Sequence, residues 1–254
     1  MSSLMFTFSL LLARVGTFVA VLPLFGQLTP RIVKAGFALS LSLFWFYSLY
    51  GGVTQREWTA HAVEVGWLGY GIVLGREVIL GGLLGYAFGL FLAPAQIAGE
   101  YLTEEMGLSF GNQINPASGT SSGALTQALQ VFAAFLFLGL DGHHTLLAFF
   151  YSLFARYPVG GVLPSWQTPQ LISGLAAAQE WGVLLAMPIG ACLFLTTVVL
   201  ALMTKAAPQL NLYSVGFPLR LATGLVGLLL FFPQMASNLV TIFGRLEALL
   251  TRLV

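Results

Sequence analysis

The sequence predicts an all-α integral membrane protein built from about six apolar helical stretches, several of them kinked or arranged as hairpins. Of its 254 residues, 57% are hydrophobic and only 7% are charged, with a mean hydropathy of +0.88. A water-soluble domain carries roughly 25% charged residues, because its surface must be solvated. Apolar segments recur along the whole chain, and one bilayer crossing needs about 20 residues. Most of the surface is therefore expected to face lipid or other protein.

The scarcity of reactive and charged residues excludes several classes of function. The formal net charge is +1 and the cations are scattered singly, which argues against a nucleic-acid-binding surface. Cys192 stands alone in an apolar run, so one chain can form no disulfide framework and no thiolate metal site. His143 and His144 are adjacent rather than spaced as ligands on one helix face. We therefore expect no metal, no cofactor and no catalytic centre.

The apolar stretches define the expected helical elements in chain order. They lie at residues 4–28, 35–53, 66–99, 123–155, 181–204 and 212–232, followed by an amphipathic stretch at 236–253. The first stretch lacks the basic start of a cleaved signal peptide, so we predict that it is a retained helix. We find no separate soluble segment and no internal repeat. Residues 1–254 are accordingly predicted to form a single domain.

Two stretches are too irregular to be single straight spans. The stretch 66–99 exceeds one crossing, so it is expected to tilt, to protrude from the membrane or to contain a break. The stretch 123–155 is interrupted by Asp141-Gly142-His143-His144, which predicts a hairpin of two short arms. Each proline removes a helical hydrogen bond and predicts a kink. The prolines concerned are Pro23, Pro188, Pro208 and Pro218.

Small residues recur at a helical interval in the third stretch. Gly81, Gly85 and Gly89 are each four residues apart, so they form one stripe along which another backbone can approach closely. We interpret this stripe as a helix-packing surface, used within the chain or by a partner.

Three charged residues lie in or beside the same stretch. Arg76 and Glu77 stand between apolar runs, where charges are costly and usually pair or face a polar cavity. Adjacent residues of a helix do not face each other, so separate partners on neighbouring helices are expected. Structural pairing and a role facing a conduit both stay open. Together with Glu100, these residues could instead serve as the relay of a small-solute transporter, although the inverted repeats typical of that class are not found.

The segment from Glu100 to Ser122 is the most distinctive part of the chain. It reads EYLTEEMGLSFGNQINPASGTSS, and its later residues favour turns over helix or strand. A long irregular connection between two membrane helices is usually functional. Met106, Leu108 and Phe110 beside small residues could form a soft, deformable seal. A plain connector outside the membrane is the alternative interpretation.

The same segment contains a literal GxSxG at residues 107–111. Asp141 and His143 follow in the chain order of an α/β-hydrolase triad. That motif has meaning only on a strand–turn–helix unit, and no strands are predicted here. An intramembrane serine hydrolase with Ser109 as nucleophile is therefore a minor alternative, which a fluorophosphonate probe would test.

Two blocks of motifs, taken in this order, carry a resemblance to a known family. The first runs through Ala98-Gly99-Glu100, Met106-Gly107-Leu108-Ser109, Asn115-Pro116 and Gly142-His143-His144. The second is Ala207-Pro208-Gln209-Leu210-Asn211 followed by Val215-Gly216-Phe217-Pro218-Leu219. Together they resemble the FliR family, the export-gate subunit of the bacterial flagellar type III secretion apparatus, whose injectisome counterpart is SctT. The second block is closer to the flagellar branch. Glu105 and Asp141 depart from the family pattern, which commonly has glutamine and asparagine there.

The resemblance implies a membrane subunit in the bacterial inner membrane at the flagellar basal body, with no enzymatic activity. The implied partners are FliP-like, FliQ-like, FlhB-like and FlhA-like subunits, and unfolded export substrates pass through the assembly. The gate of this family is largely lifted out of the bilayer plane, with kinked helical hairpins.

The resemblance also assigns roles to particular residues. In family members the part matching Met106 to Ser122 forms a plug loop inside the channel. The plug or gating residues are then Met106, Gly107, Leu108, Ser109, Phe110, Gly111, Asn115 and Pro116, with Gly119 also in the loop. Helix packing is expected at Gly81, Gly85, Gly89, Pro208, Gly216 and Pro218. The glycine stripe and the kinks at the two prolines are expected to shape contacts with FliP-like and FliQ-like neighbours.

Overall fold

A computed structural model describes residues 2–23, 29–50, 67–109, 123–161, 168–206 and 212–251. Within these ranges the chain is helical apart from short non-helical segments, and none of it is strand. The helices are α1 (Ser2–Val21), α2 (Arg31–Tyr50), α3 (Trp67–Gly89), α4 (Ala93–Glu105), α5 (Ala124–Gly139), α6 (Gly142–Arg156), α7 (Thr168–Ala206) and α8 (Leu212–Thr251). The predicted all-α class is confirmed.

Three of the described helices are long and apolar enough to cross a membrane. They are Trp67–Gly89, Ile172–Ala206 and Ser214–Arg245, and a fourth crossing results if α5 and α6 count as one broken span. The apolar part of α1, Met5–Val21, is shorter than a full crossing. The predicted membrane character is thus confirmed, with three or four full-length spans and shorter helices beside them.

One compact unit consists of residues Met1–Leu90, His143–Leu171 and Leu250–Val254. In this unit α1 packs against both α2 and α3. Aromatic rings fill its interior: Phe18 makes edge-to-face contacts with Phe88 at 5.9 Å and with Phe150 at 4.5 Å between ring centroids. Such contacts contribute about 0.5–1.5 kcal/mol each beyond simple burial.

The other compact unit consists of residues Phe91–Gly142 and Ile172–Leu249. It contains α4, α5 and most of α7 and α8, with α4 packed against α5. Phe91, Phe137 and Phe243 form a triangle of rings with centroid distances of 5.4, 5.8 and 6.2 Å. This unit holds both described ends of the distinctive loop.

Both irregular stretches contain a break between two helices. The long third stretch contains a break at residues 90–92, and Pro94 lies in the first turn of α4, where a missing amide hydrogen costs nothing. The fourth stretch divides into two arms at Leu140 and Asp141. The predicted turn was too long, because α6 already begins at Gly142 and includes His143 and His144.

The last two helices are longer than their apolar runs predict. α7 begins at Thr168 rather than near residue 181, since polar residues such as Gln179 and Glu180 shorten the apolar run without disfavouring a helix. α8 has 40 residues and joins the predicted stretches 212–232 and 236–253 through Pro233. A proline removes one hydrogen bond, which kinks a helix without always ending it.

Candidate gating loop and buried charges

α4 leads into the loop through a glycine cap. The helix ends at Glu105, and Gly107 adopts a φ of +75°. The amide of Gly107 donates to the carbonyl of Glu104 at 3.0 Å, and the amide of Leu108 donates to the carbonyl of Thr103 at 2.9 Å. This pair of bonds is the Schellman motif, in which a left-handed residue closes a helix. Glycine suits that conformation, so Gly107 sets the direction in which the chain leaves α4.

The two described ends of the loop are held together by a cluster that we call the loop neck, formed by Gly99, Thr103, Gly123 and Thr126. Both threonines are buried, and their Oγ1 atoms lie 3.2 Å apart. Thr103 Oγ1 also donates to the carbonyl of Gly99 at 2.6 Å, which leaves Thr126 as the donor between the two hydroxyls.

Glycines allow the helices at the loop neck to approach so closely. A Cβ atom on Gly99 would lie 2.7 Å from the Cα of Thr126. A Cβ atom on Gly123 would lie 2.5 Å from Cγ2 of Thr103. The chain therefore leaves α4 and returns to α5 at one tightly packed place.

Met106 begins the loop in a buried position against α8. Its side chain is 1% exposed, and a Cβ atom on Gly224 would lie 2.5 Å from its Sδ. Leu108 and Ser109 are half-buried. The other predicted gating residues, Phe110, Gly111, Asn115, Pro116 and Gly119, lie outside the described residues.

The surroundings of Ser109 do not match those of a serine nucleophile. Ser109 follows α4 and its glycine cap, whereas a GxSxG nucleophile sits between a strand and a helix. No strand occurs in the part of the chain that the structure describes.

Glu77 is paired with Arg14 of α1, a residue that the sequence patterns did not single out. Arg14 Nε donates to Glu77 Oε2, and Arg14 Nη2 donates to Glu77 Oε1 at 3.0 Å. Both side chains are almost fully buried, with 1% exposure each. Bidentate pairs of this kind are among the strongest hydrogen-bonded contacts in proteins. In the sequence, Arg14 stands alone in an apolar helix, and because such a charge needs a partner, this position could have indicated a buried ion pair.

Backbone groups after α6 complete what we call the Arg14–Glu77 network. Arg14 Nη1 donates to the carbonyl of Tyr157 at 2.9 Å, and the amide of Gly160 donates to Glu77 Oε1 at 2.8 Å. The guanidinium also lies 5.3 Å from the centre of the Phe154 ring, within cation–π range. The network thus joins α1, α3 and the chain that follows α6 through two buried charges.

The other two predicted intramembrane charges have different surroundings. Arg76 is half-buried and has no ion pair among the residues that the structure describes. Glu100 is exposed and accepts a hydrogen bond from Gln96 Nε2 at 2.8 Å, one helical turn away.

The glycine stripe of α3 is covered by α1 of the same chain. A Cβ atom on Gly81 would lie 2.1 Å from the Arg14 carbonyl oxygen, and one on Gly85 would lie 2.8 Å from that of Phe18. A Cβ atom on Gly89 would lie 3.2 Å from Cγ of Pro23. The structure therefore shows that this stripe is a packing surface within the chain.

The remaining residues assigned to helix packing lie at or near α8. Gly216 is buried, and a Cβ atom there would lie 3.6 Å from Cδ1 of Leu200 on α7, which is an ordinary van der Waals distance. Pro218 is exposed. Pro208 lies outside the described residues.

Comparison with known proteins gives consistent matches along nearly the whole chain. Residues 5–246 match the family described as bacterial export proteins, family 1. The chain is 28% identical to the flagellar biosynthetic protein FliR of Bacillus subtilis (strain 168) over 227 residues, covering 87% of this chain and 84% of the relative. It is 26% identical to FliR of Escherichia coli (strain K12) over 245 residues, covering 96% of this chain and 90% of the relative. It is 30% identical to FliR of Pectobacterium carotovorum subsp. carotovorum over 185 residues, covering 70% of each chain.

Proposed function

The chain belongs to the bacterial export proteins, family 1, and from this membership we propose that it is a FliR-like subunit of the flagellar type III protein export gate. The family expected from the sequence motifs is confirmed. In the proposed role the chain forms part of the channel wall and contributes a plug loop. The loop seals the pore until an unfolded export substrate passes. A seal is needed because an open, protein-sized pore would dissipate the ion gradient across the membrane.

The observation that carries this proposal is the loop neck. The hydrogen-bonded threonines hold the ends of α4 and α5 together at a distance set by two glycines. A loop with fixed, adjacent ends can enter or leave a passage without moving the helices that bear it. This arrangement supports a plug more than a plain connector, because a connector has no need of a rigid base.

We divide the proposed plug into a base and a seal. Met106 is buried within the chain, so we assign it to the base of the plug, together with the cap residue Gly107. Leu108 and Phe110 are then the apolar residues proposed for the seal. Gly111, Ser109, Asn115 and Pro116 are residue types that favour turns, and we assign to them the movement of the loop.

We place the protein in the bacterial inner membrane at the flagellar basal body, with FliP-like, FliQ-like, FlhB-like and FlhA-like subunits as partners. Large apolar side chains that the chain itself leaves uncovered support such contacts, among them Leu229 at 80% and Leu230 at 70% exposure. The family match spans both compact units, which supports a single functional domain. We propose no enzymatic role and no cofactor.

The plug assignment is tested by deleting residues 111–119, which leaves the Gly107 cap intact, in cells that carry the complete export apparatus. We expect a rise in small-ion leak, followed with a membrane-potential dye, while secretion of flagellar proteins continues. A matched variant replaces the same nine residues with a glycine–serine linker of equal length. The linker variant is also expected to leak, because it lacks the shape of the native loop. If neither variant leaks more small ions than the wild-type resting gate does, the segment is a connector rather than a plug.

The transporter alternative is not favoured. Glu77 is occupied by Arg14 and the amide of Gly160, and Glu100 is exposed rather than enclosed. Under the proposed function the purified chain alone transports no small solute in liposomes.

A further inference from the structure

The contacts at the base of the loop point to positioning residues on another helix. We propose that α8 seats the plug, with Gly224 and Phe217 acting through Met106 and Gly107. This inference rests on the proposed plug function, and it adds the part of the chain that holds the plug in its resting position.

Gly224 forms a recess that the Met106 side chain fills. A Cβ atom on Gly224 would lie 2.5 Å from Sδ, 2.6 Å from Cε and 2.6 Å from Cγ of Met106. Three successive atoms of the side chain thus occupy the place of a methyl group. Methionine is flexible, but Met106 is 1% exposed, and a close-packed interior leaves such a side chain little room to turn. A side chain at position 224 therefore displaces Met106.

Phe217 contacts the next residue of the loop base. Its ring atom Cδ2 would lie 3.2 Å from a Cβ atom on Gly107, where the φ of +75° already favours glycine. Phe217 and Gly224 are seven residues apart, which places them on one face of α8 two turns from each other. One face of α8 therefore contacts two consecutive residues of the loop base.

These contacts complete a base that is held from three helices. The loop neck joins α4 to α5, the Schellman motif fixes the exit from α4, and α8 packs against Met106 and Gly107. Leu108 follows Gly107 directly, so a shift of the backbone at Met106 would move the start of the proposed seal. Phe217 belongs to the motif Val215-Gly216-Phe217-Pro218, which the family resemblance singled out.

The test is a size exchange across this contact in cells with the complete export apparatus. Gly224→Leu is expected to raise small-ion leak through the resting gate several-fold, because it expels Met106 from its recess. Met106→Ala makes room for the new side chain, so the double variant Met106→Ala with Gly224→Leu is expected to leak less than Gly224→Leu alone. Such non-additivity is the signature of two residues in direct contact.

Gly227→Leu is the matched control, since it lies one turn further along the same face of α8. The three atoms nearest to a Cβ atom there all belong to Ile189, the closest at 3.1 Å, so the variant first strains the packing of α8 on α7. We expect it to lower the melting temperature of the purified assembly without raising leak. Co-purification measures assembly for every variant, and Gly224→Ala replaces Gly224→Leu if the larger residue prevents assembly.

Two results would overturn the inference. One is an assembled position-224 variant that leaks no more than the wild type, and the other is equal leak from the variants at positions 224 and 227. If the deletion of residues 111–119 leaks and the position-224 variant does not, only the seat on α8 is wrong. If the variant that lacks residues 111–119 does not leak, the proposed plug function itself is wrong.

Discussion

At the scale of single residues, the Arg14–Glu77 network shows how this chain tolerates charges in an apolar interior. Removing two ions from water costs several kcal/mol each, and their attraction offsets this cost only with good geometry and further hydrogen bonds. Here the carbonyl of Tyr157 and the amide of Gly160 supply those bonds at 2.9 and 2.8 Å. The network therefore contributes little net stability, but removal of one partner strongly lowers the free energy of unfolding.

Glu77→Gln is accordingly expected to destabilise the protein by about 3 kcal/mol, because it leaves Arg14 charged and buried without a counter-ion. Thermal unfolding of the purified protein in detergent measures the effect. The neighbouring variant Arg76→Gln is the control and should change the melting temperature little, since no ion pair of Arg76 is found among the described residues. A Glu77→Gln protein as stable as the wild type would show that the pair does not compensate a buried charge.

Single-residue properties also show what sequence patterns reveal and what they leave open. The motif resemblance implies asparagine at the position of Asp141, and the structure gives Asp141 a φ of 58°. Asparagine and aspartate both tolerate this left-handed conformation, so the exchange conserves the turn. By contrast, the pairing of Glu77 with Arg14 joins residues 63 positions apart, which no local pattern can indicate.

At the scale of elements, the contact between α1 and α3 depends on the absence of side chains. Gly81 brings α3 so close that a Cβ atom would overlap the Arg14 carbonyl oxygen and Thr17 Oγ1, both at 2.1 Å. Four-residue glycine spacing predicts such a surface, but it does not say which helix covers it.

Gly81→Ala should therefore push α1 away from α3 and destabilise the protein by more than a surface substitution does, on the order of 2 kcal/mol. Gly82→Ala is a closely matched control, because it changes the next residue of the same helix, where nothing lies within 4 Å. The control is expected to be neutral or to stabilise by up to about 1 kcal/mol, since alanine favours helix over glycine. Equal melting temperatures for the two variants would contradict the close packing of α1 on α3.

At the scale of the whole molecule, the chain leaves many large apolar side chains uncovered. Phe194 and Leu195 on α7 are 65% and 63% exposed, and Leu229 on α8 is 80% exposed. Soluble monomers rarely expose contiguous apolar surface of this kind, so these helices face lipid or other protein. Helix length and hydropathy agree with that conclusion.

Under the proposed function, assembly with a FliP-like partner covers part of this surface and stabilises the chain by mass action. We expect the co-purified complex to melt several degrees above the isolated chain in the same detergent. Leu229→Lys and Leu230→Lys would locate the covered face by their loss of co-purification. The exposed variant Ser40→Lys on α2 is a control that should co-purify normally. A melting temperature unaffected by the partner would indicate that the uncovered face contacts only lipid.

The all-α membrane class, the positions of most helices, the interruption at Asp141 and the family could all be predicted from the sequence. These properties are local: they depend on hydropathy, turn chemistry and short motifs read along the chain. The length of the stretch 66–99 left a tilt, a protrusion and a break open, and the structure shows a break before Pro94. Which residues meet became known only from the folded chain. The fold places Arg14 on Glu77, α1 on the glycines of α3, and Met106 in the recess of Gly224. Such contacts depend on the register of helices that are distant in the chain, and the register is set by packing over whole helix faces rather than by any short segment.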